Sequence, residues 1–164
     1  MTVLERLRPD HAPALLAFEL ENRTYFAASI PDRGDDYFAG FDARHRELLD
    51  EQAAGLHHFH IIADSDGAVL GRVNLVGVAD GSAELGYRIA ERAAGQGLAT
   101  SAVRRVCALA LDAYGLSVLR AETTLDNAGS QAVLARNGFV HAGAVTLGGR
   151  PGLRFTRILA DGPL

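Results

Sequence analysis

The chain has 164 residues, enough for one domain whose core needs no disulfide or metal to hold it. Its 16 basic residues are all Arg and its 20 acidic residues leave a net charge of −4; this excludes a Schiff-base or Walker-type lysine and argues against a nucleic-acid-binding face. Cys107 stands alone and can form no internal disulfide, no apolar run approaches the ~18 residues of a membrane span, and Met1–Glu5 carries no basic-then-apolar leader, so the expectation is a single domain over residues 1–164, cytoplasmic, with neither a membrane nor a nucleic-acid partner.

Val3 to Arg8 alternates apolar and polar residues as a half-buried strand does. Asp10 is placed to cap a helix running to about Glu21 on Leu15, Leu16, Phe18 and Leu20. Pro31 interrupts the chain before a second helical region, roughly Asp35 to Ala54, with Phe38, Phe41, Leu48 and Leu49 as its apolar positions. His57–Ala63 and Val69–Gly77 read as strands joined through Asp64-Ser65-Asp66-Gly67, whose Asp and Gly supply hairpin dihedrals. A second hairpin through Ala79-Asp80-Gly81-Ser82 leads to a strand over Ala83–Ala90. Leu98 to Tyr114 is amphipathic, with Val103, Val106, Cys107, Ala110, Leu111 and Tyr114 at helical spacing. Val118–Leu125 is a strand, Asn127–Arg136 a short helix stopped by Asn137-Gly138, and Phe139–Leu147 and Leu153–Leu159 two final strands joined by Gly148-Gly149-Arg150-Pro151-Gly152. This order is α+β rather than the strict strand–helix alternation of a doubly wound sheet.

The stretch Arg92-Ala93-Ala94-Gly95-Gln96-Gly97-Leu98-Ala99-Thr100 carries the chemistry. A strand, a glycine turn and a helix in that order make an anion site, because free N–H groups at the helix start and the positive end of its dipole can hold a pyrophosphate. Gly95 and Gly97 let the backbone come close and take dihedrals closed to other residues. A dinucleotide fingerprint would want a third glycine, a place on the first strand and an acidic residue about 20 positions on, and a Walker loop would want its lysine. The turn here is mid-chain and lacks both.

Arg92, Gly95 and Gly97 match the pyrophosphate signature of the GNAT acyltransferase superfamily: Arg or Gln, two residues, Gly, any residue, Gly or Ala. Glu84-Leu85-Gly86-Tyr87, Asn127-Ala128-Gly129-Ser130, Asn137-Gly138-Phe139 and Glu21-Asn22-Arg23 are similar to the branch that contains the ribosomal-protein N-terminal (alanine) acetyltransferases, and the resemblance spans essentially the whole chain. It implies a mixed, mostly antiparallel sheet of about seven strands flanked by about four helices. It also implies acetyl-CoA as the cofactor, direct transfer of the acetyl group to a primary amine in a ternary complex, and a homodimer. The acceptor is a protein N-terminus or a small molecule such as a polyamine, amino acid or aminoglycoside; a non-catalytic module that holds coenzyme A is the alternative from another class.

By this resemblance the amides from Ala94 to Leu98 hold the pyrophosphate at the start of a helix that continues through Ala99 and Thr100, with Gln96 in the turn and Arg92 adding charge. Arg88, Ile89 and Ala90 belong to a strand that splays from its neighbour, pairs with the pantetheine arm and presents an oxyanion donor. Asn127 and Ser130 either cap their helix or touch the pantetheine and its sulfur. Attack on a thioester needs a neutral amine, and Glu122 and Glu84 are the two candidate bases, directly or through a water; a salt bridge to a neighbouring Arg is the other reading of each. Relatives that protonate the thiolate with a tyrosine carry it at the position of Leu134 here, which leaves Ser130 as the candidate acid. Cys107 falls on an apolar helix face and reads as structural. His57, His58 and His60 lack further ligands at metal spacing, so no metal site is expected. Tyr87, Tyr25 and Phe26 either line the cleft or pack the core. Glu19 to Glu51 holds nine acidic and four basic residues, which is either a solvated helix face or an acidic wall that draws a cationic acceptor.

Overall fold

In the computed structural model, which describes residues 1–159, seven strands form one sheet: β1 (Thr2–Arg6), β2 (His58–Asp64), β3 (Val69–Ala79), β4 (Ser82–Ile89), β5 (Val118–Thr124), β6 (Val140–Leu147) and β7 (Arg150–Ile158). Their order across the sheet is β1-β2-β3-β4-β5-β7-β6. Every neighbouring pair is antiparallel except β4 and β5. Among the described residues there are six α-helices, α1 (Ala12–Glu21), α2 (Arg23–Ala27), α3 (Asp35–Ala39), α4 (Phe41–Ala53), α5 (Leu98–Asp112) and α6 (Ala128–Arg136), where about four were expected; none is long and apolar enough to cross a membrane. The last five residues of the expected domain, 160–164, lie outside the described residues.

The extra helices come from short-range chemistry. Gly40 takes up the N–H bond to the Asp36 carbonyl and offers its own carbonyl to Arg44, so it ends α3 and starts α4 where one continuous helix was expected. Arg23–Ala27 was not anticipated as a helix at all. Asp10 does not cap α1: its carboxylate is held by Arg8 at 3.0 Å, and the chain passes through a 3-10 turn at Pro9–His11 first. The final hairpin turns on Gly148-Gly149 alone, and Pro151 and Gly152 belong to β7. The helix stop at Asn137-Gly138 is as expected: Gly138 has φ +79°, and the Phe139 N–H returns to the Leu134 carbonyl.

Two cores sit on opposite faces of the sheet. On one, α5 lays Val103, Val106, Cys107 and Ala110 on Val73, Leu75, Leu85 and Leu119, with Leu134 of α6 beside them. Leu111, expected on that stripe, is largely exposed. On the other face, Leu15 and Phe18 of α1 and Phe41 of α4 pack on Phe59, Ile61 and Ala63. Full burial of one such side chain contributes about 1.5–3 kcal/mol, so the two faces together fix the sheet between its helices.

What positions the site is the one parallel pair. β4 and β5 pair only over Ser82–Glu84 against Val118–Arg120. Beyond that, β4 follows β3 to Ile89 while β5 follows β7 to Thr124, and a gap opens between them. The chain leaves the end of β4, makes a 3-10 turn at Glu91–Ala93 and enters α5, so the glycine turn stands at the mouth of that gap.

Candidate active site

The gap is a cleft of about 920 Å³, lined by β4 from Leu85 to Ile89, β5 from Ala121 to Thr124, the glycine turn, the start of α5, and α6. Gly95 and Gly97 have φ of +74° and +76°, and a Cβ built on either would meet no atom within 4 Å. The space in front of this turn is therefore open to a ligand. The Gly95, Gln96 and Gly97 N–H groups make no hydrogen bond among the described residues, and the first amides of α5 have no intrahelical partner. The Ala94 N–H, counted at the sequence level among the pyrophosphate donors, is spent on the Glu91 carbonyl at 3.1 Å. Ala90 is likewise removed from the cleft: it is fully buried and its N–H bonds the Leu70 carbonyl.

Most of the other expected site residues meet here. Arg88, Ile89, Ala94, Gly95, Gly97, Leu98, Ala99, Thr100, Glu122, Asn127 and Ser130 all line the cleft, joined by Tyr25, Phe26 and Tyr87. Glu84, Ala90, Arg92 and Gln96 do not. Glu84 is the last residue of the paired section, opposite Arg120. Arg92 lies half-exposed with its Nε 3.6 Å from Glu21. The Gln96 amide returns to the Arg92 carbonyl.

Asn127 caps α6, its side-chain oxygen accepting the Ser130 N–H at 3.0 Å, and it faces the cleft as well, so both of its readings hold together. The Ser130 hydroxyl is 2.8 Å from the Tyr87 hydroxyl. Burial raises the Tyr87 pKa, and the Ser130 bond works against that rise, so the phenol keeps its proton. Leu134 is 1% exposed and supplies no acid. Among the described residues Glu122 is the one carboxylate on the cleft wall; its nearest cation there is Arg154, 3.9 Å away, too far for a hydrogen bond.

Several fixing residues escaped the sequence reading. The Asn22 side chain, 4% exposed, accepts the Glu91 N–H at 3.0 Å and donates to the Phe18 carbonyl, tying the α1–α2 corner to the turn that precedes Gly95. The Asn137 amide donates to the carbonyls of Thr100 and Val133, tying α6 to the first turn of α5. Arg150 bonds Asp126 and the Ser29 carbonyl, drawing the β6–β7 hairpin over the far end of the cleft. Glu19, read as part of either a solvated helix face or an acidic wall, is 1% exposed and surrounded by Arg72, Arg88 and Arg33 at 3.0, 3.1 and 3.4 Å. Asp32 and Asp35 are held by Arg23, and Glu47 and Glu51 by Arg44. These five of the nine acids are thus paired with arginine, while Asp36, Asp42 and Asp50 are exposed, as on a solvated helix face. The legible signal was Arg72, a charge inside the buried run Val69–Leu75, which demands a partner.

The remaining reactive types are structural. Cys107 is buried, which pushes its thiol pKa up, with Arg157 opposing. His58 stacks on Tyr114 with ring centroids 3.7 Å apart, and the His60 ring bonds the Val73 carbonyl and the Tyr114 hydroxyl. No cluster of three or more metal-ligating side chains occurs among the described residues.

Residues 2–140 match the family described as acetyltransferase (GNAT) domain. A probable N-acetyltransferase, YjcK of Bacillus subtilis (strain 168), is 31% identical over 132 residues, which cover 76% of this chain and 72% of that protein. Among solved structures, ribosomal-protein-S5-alanine acetyltransferase from Vibrio fischeri superposes with a TM-score of 0.93 at 19% identity, over 99% of this chain and 96% of that one. RimJ of Mycobacterium smegmatis, solved in complex with CoA-disulfide, superposes with a TM-score of 0.84 at 24% identity, over 96% of this chain and 81% of that one. At these identities the two structures establish the shared fold.

Proposed function

The chain belongs to the GNAT acetyltransferase family, and on that premise we propose that its cleft receives acetyl-CoA and a primary amine together and passes the acetyl group directly from one to the other. One observation carries this reading: the splay of β4 from β5 opens onto a glycine turn whose Gly95, Gln96 and Gly97 amides have no partner among the described residues and whose open face admits a ligand. Both features fit coenzyme A. We assign one acetyltransferase domain to the chain.

The N–H groups of Gly95, Gln96, Gly97 and Leu98 receive the pyrophosphate, helped by the α5 dipole. The β4 edge from Leu85 to Ile89, free of a strand on its β5 side, pairs with the amide-bearing pantetheine arm and aims an N–H at the thioester oxygen. Asn127 and Ser130, at the start of α6, flank the sulfur. Acetyl-CoA supplies an activated acyl group with a thiolate leaving group. Glu122, across the gap on β5, takes the proton of the attacking amine, directly or through a water. The Ser130 hydroxyl, itself bonded to Tyr87, delivers a proton to the departing sulfur as the Tyr87 phenol passes its own to Ser130, and solvent returns a proton to the phenol. Placement favours Glu122 over Glu84 as the base, because Glu122 lines the cleft and Glu84 does not.

Release of free thiol from acetyl-CoA on addition of primary amines tests the assignment directly. Acetyl-CoA binding without thiol release would leave a coenzyme A-binding module in its place.

A further inference from the structure

Beside the cleft, where Arg88 reaches from its wall into a neighbouring small pocket, cations outnumber anions. Glu19 is one buried carboxylate facing three guanidinium groups: Arg72 donates to Oε1 at 3.0 Å, Arg88 donates to Oε2 at 3.1 Å, and the Arg33 Nε lies 3.4 Å from Oε2. With Arg23 and the two acids it holds, Asp32 and Asp35, four guanidinium groups stand against three carboxylates, which leaves one cation in excess. Arg72 is enclosed. Arg88 lines both the main cleft and a small pocket it shares with Arg33, Phe26 and Pro31. Its guanidinium lies over the Phe26 ring at 4.6 Å, and that of Arg33 over the Tyr37 ring at 4.6 Å. Two flat aromatic faces thus fix two guanidinium planes.

Arg88 spends one hydrogen bond on Glu19, and a guanidinium has five N–H donors. Two positions before it on the same face of β4, Gly86 leaves open space: a Cβ there would meet nothing within 4 Å. Arg88 shares its one carboxylate with two further arginines and keeps donors free beside an open space, an arrangement that an anionic ligand completes. Burial, with Arg33 and Arg72 nearby, also works against the charged form of Arg88.

We propose that the acceptor amine carries a carboxylate, and that Arg88, backed by Arg33, receives it while Glu122 faces the amine. This rests on the transferase reading above and narrows it to amino acids and to peptides with an acidic side chain near the N-terminus. A polyamine would bring its second cation against the same arginines.

The experiment has two arms, run on the intact chain. In the first, kcat/KM is compared between amines that differ only in the carboxylate: glycine, β-alanine, γ-aminobutyrate, aspartate and glutamate against their carboxamides, peptides beginning Ala-Asp against Ala-Asn, and spermidine. At least one carboxylate member exceeds its amide by tenfold or more, and Arg88→Gln collapses that ratio toward one. Arg33→Gln, at a more exposed position, collapses it partly; thermal melts confirm that both variants fold. The free acids and the peptides separate the two sources of the carboxylate. Equal rates for acid and amide, a preference for spermidine, or a ratio that survives Arg88→Gln would overturn the inference. The second arm needs no turnover: the CoA-loaded protein is titrated calorimetrically with the N-acetyl derivatives of the same acids and amides. Tighter binding of an acid, lost in Arg88→Gln, supports the inference even where no thiol is released; equal or absent binding of all of them overturns it. Absence of thiol release with every amine instead removes the transferase reading, so the two failures are distinct.

Discussion

The Tyr87 hydroxyl lies 2.8 Å from the Ser130 Oγ, joining the splayed half of β4 to the first turn of α6 across the cleft. Leu134 has no proton to give, and in the mechanism proposed above this pair takes the donor's role. Ser130→Ala lowers kcat by about 10²-fold, the low end of general acid catalysis, because a thiol of pKa about 8.5 already leaves tolerably as thiolate. Tyr87→Phe, which leaves the serine in place, lowers it by about tenfold. Steady-state kinetics at saturating acetyl-CoA read both effects. Wild-type kcat in both variants would exclude the pair from proton transfer.

Glu122→Gln lowers kcat/KM by about 10²-fold or more near neutral pH. The deficit narrows as the pH approaches the acceptor's own pKa, about 8 for an α-amino group and about 10.4 for a lysine-like amine. Glu84→Gln, outside the cleft, changes little. A Glu122→Gln deficit that stays constant across the pH range would assign the residue to binding rather than to proton removal.

Gly97→Ala forces a side chain into φ +76° at the start of α5, a conformation that costs an L-residue about 1–2 kcal/mol. The melting temperature falls by about 2–8 °C for a domain of this size. Gly67→Ala, at φ +83° in the β2–β3 hairpin and equally open, carries the same strain far from the cleft. If the turn holds the pyrophosphate, only Gly97→Ala weakens acetyl-CoA binding, by about tenfold or more, since its methyl stands where the ligand approaches. Equal affinities in the two variants would remove the turn from the cofactor site.

The His60 imidazole has its pKa lowered to about 4, chiefly by burial, with the Val73 carbonyl opposing in part. An unfolded imidazole titrates near 6.5, so between these values the unfolded chain binds the extra proton and folding opposes protonation. The stability held by neutral His60 is complete above about pH 6.5 and is lost as the pH falls toward 4, by roughly 3 kcal/mol in all. His58 and His11, also lowered by burial, act in the same direction. Urea unfolding at pH 7, 6, 5 and 4.5 reads the slope, and His60→Gln flattens it. An unchanged slope in that variant would place the titration elsewhere.

The sheet, the long helix and the glycine turn were legible because each is encoded locally. Strand alternation, the Asp64–Gly67 turn and the stripe on α5 repeat over short windows, and Gly95 and Gly97 sit where a strand meets a helix. That Gly95, Gly97, Asn127 and Ser130 share one cleft also followed, since each marks the start of a helix at the end of a strand. Harder to read was anything set by partners far apart in the chain. Glu19 meets Arg72 and Arg88 from 53 and 69 positions away, so its burial could not be seen in an acidic run. Asn22 holds the Glu91 amide across the same separation. Local competition misled as well: Arg8 took the carboxylate of Asp10 away from helix capping, and Gly40 divided a helix that periodicity joined. The family expected from the motifs is the one that residues 2–140 match.

The most direct measurement is thiol release from acetyl-CoA in the presence of a panel of primary amines, with mass spectrometry of the amine. Amine-dependent thiol release matched by acetylation of that amine, and lowered together by about 10²-fold in Glu122→Gln near neutral pH, is the predicted result. Saturable binding of acetyl-CoA with no thiol released by any peptide N-terminus, amino acid, polyamine or aminoglycoside would contradict the account.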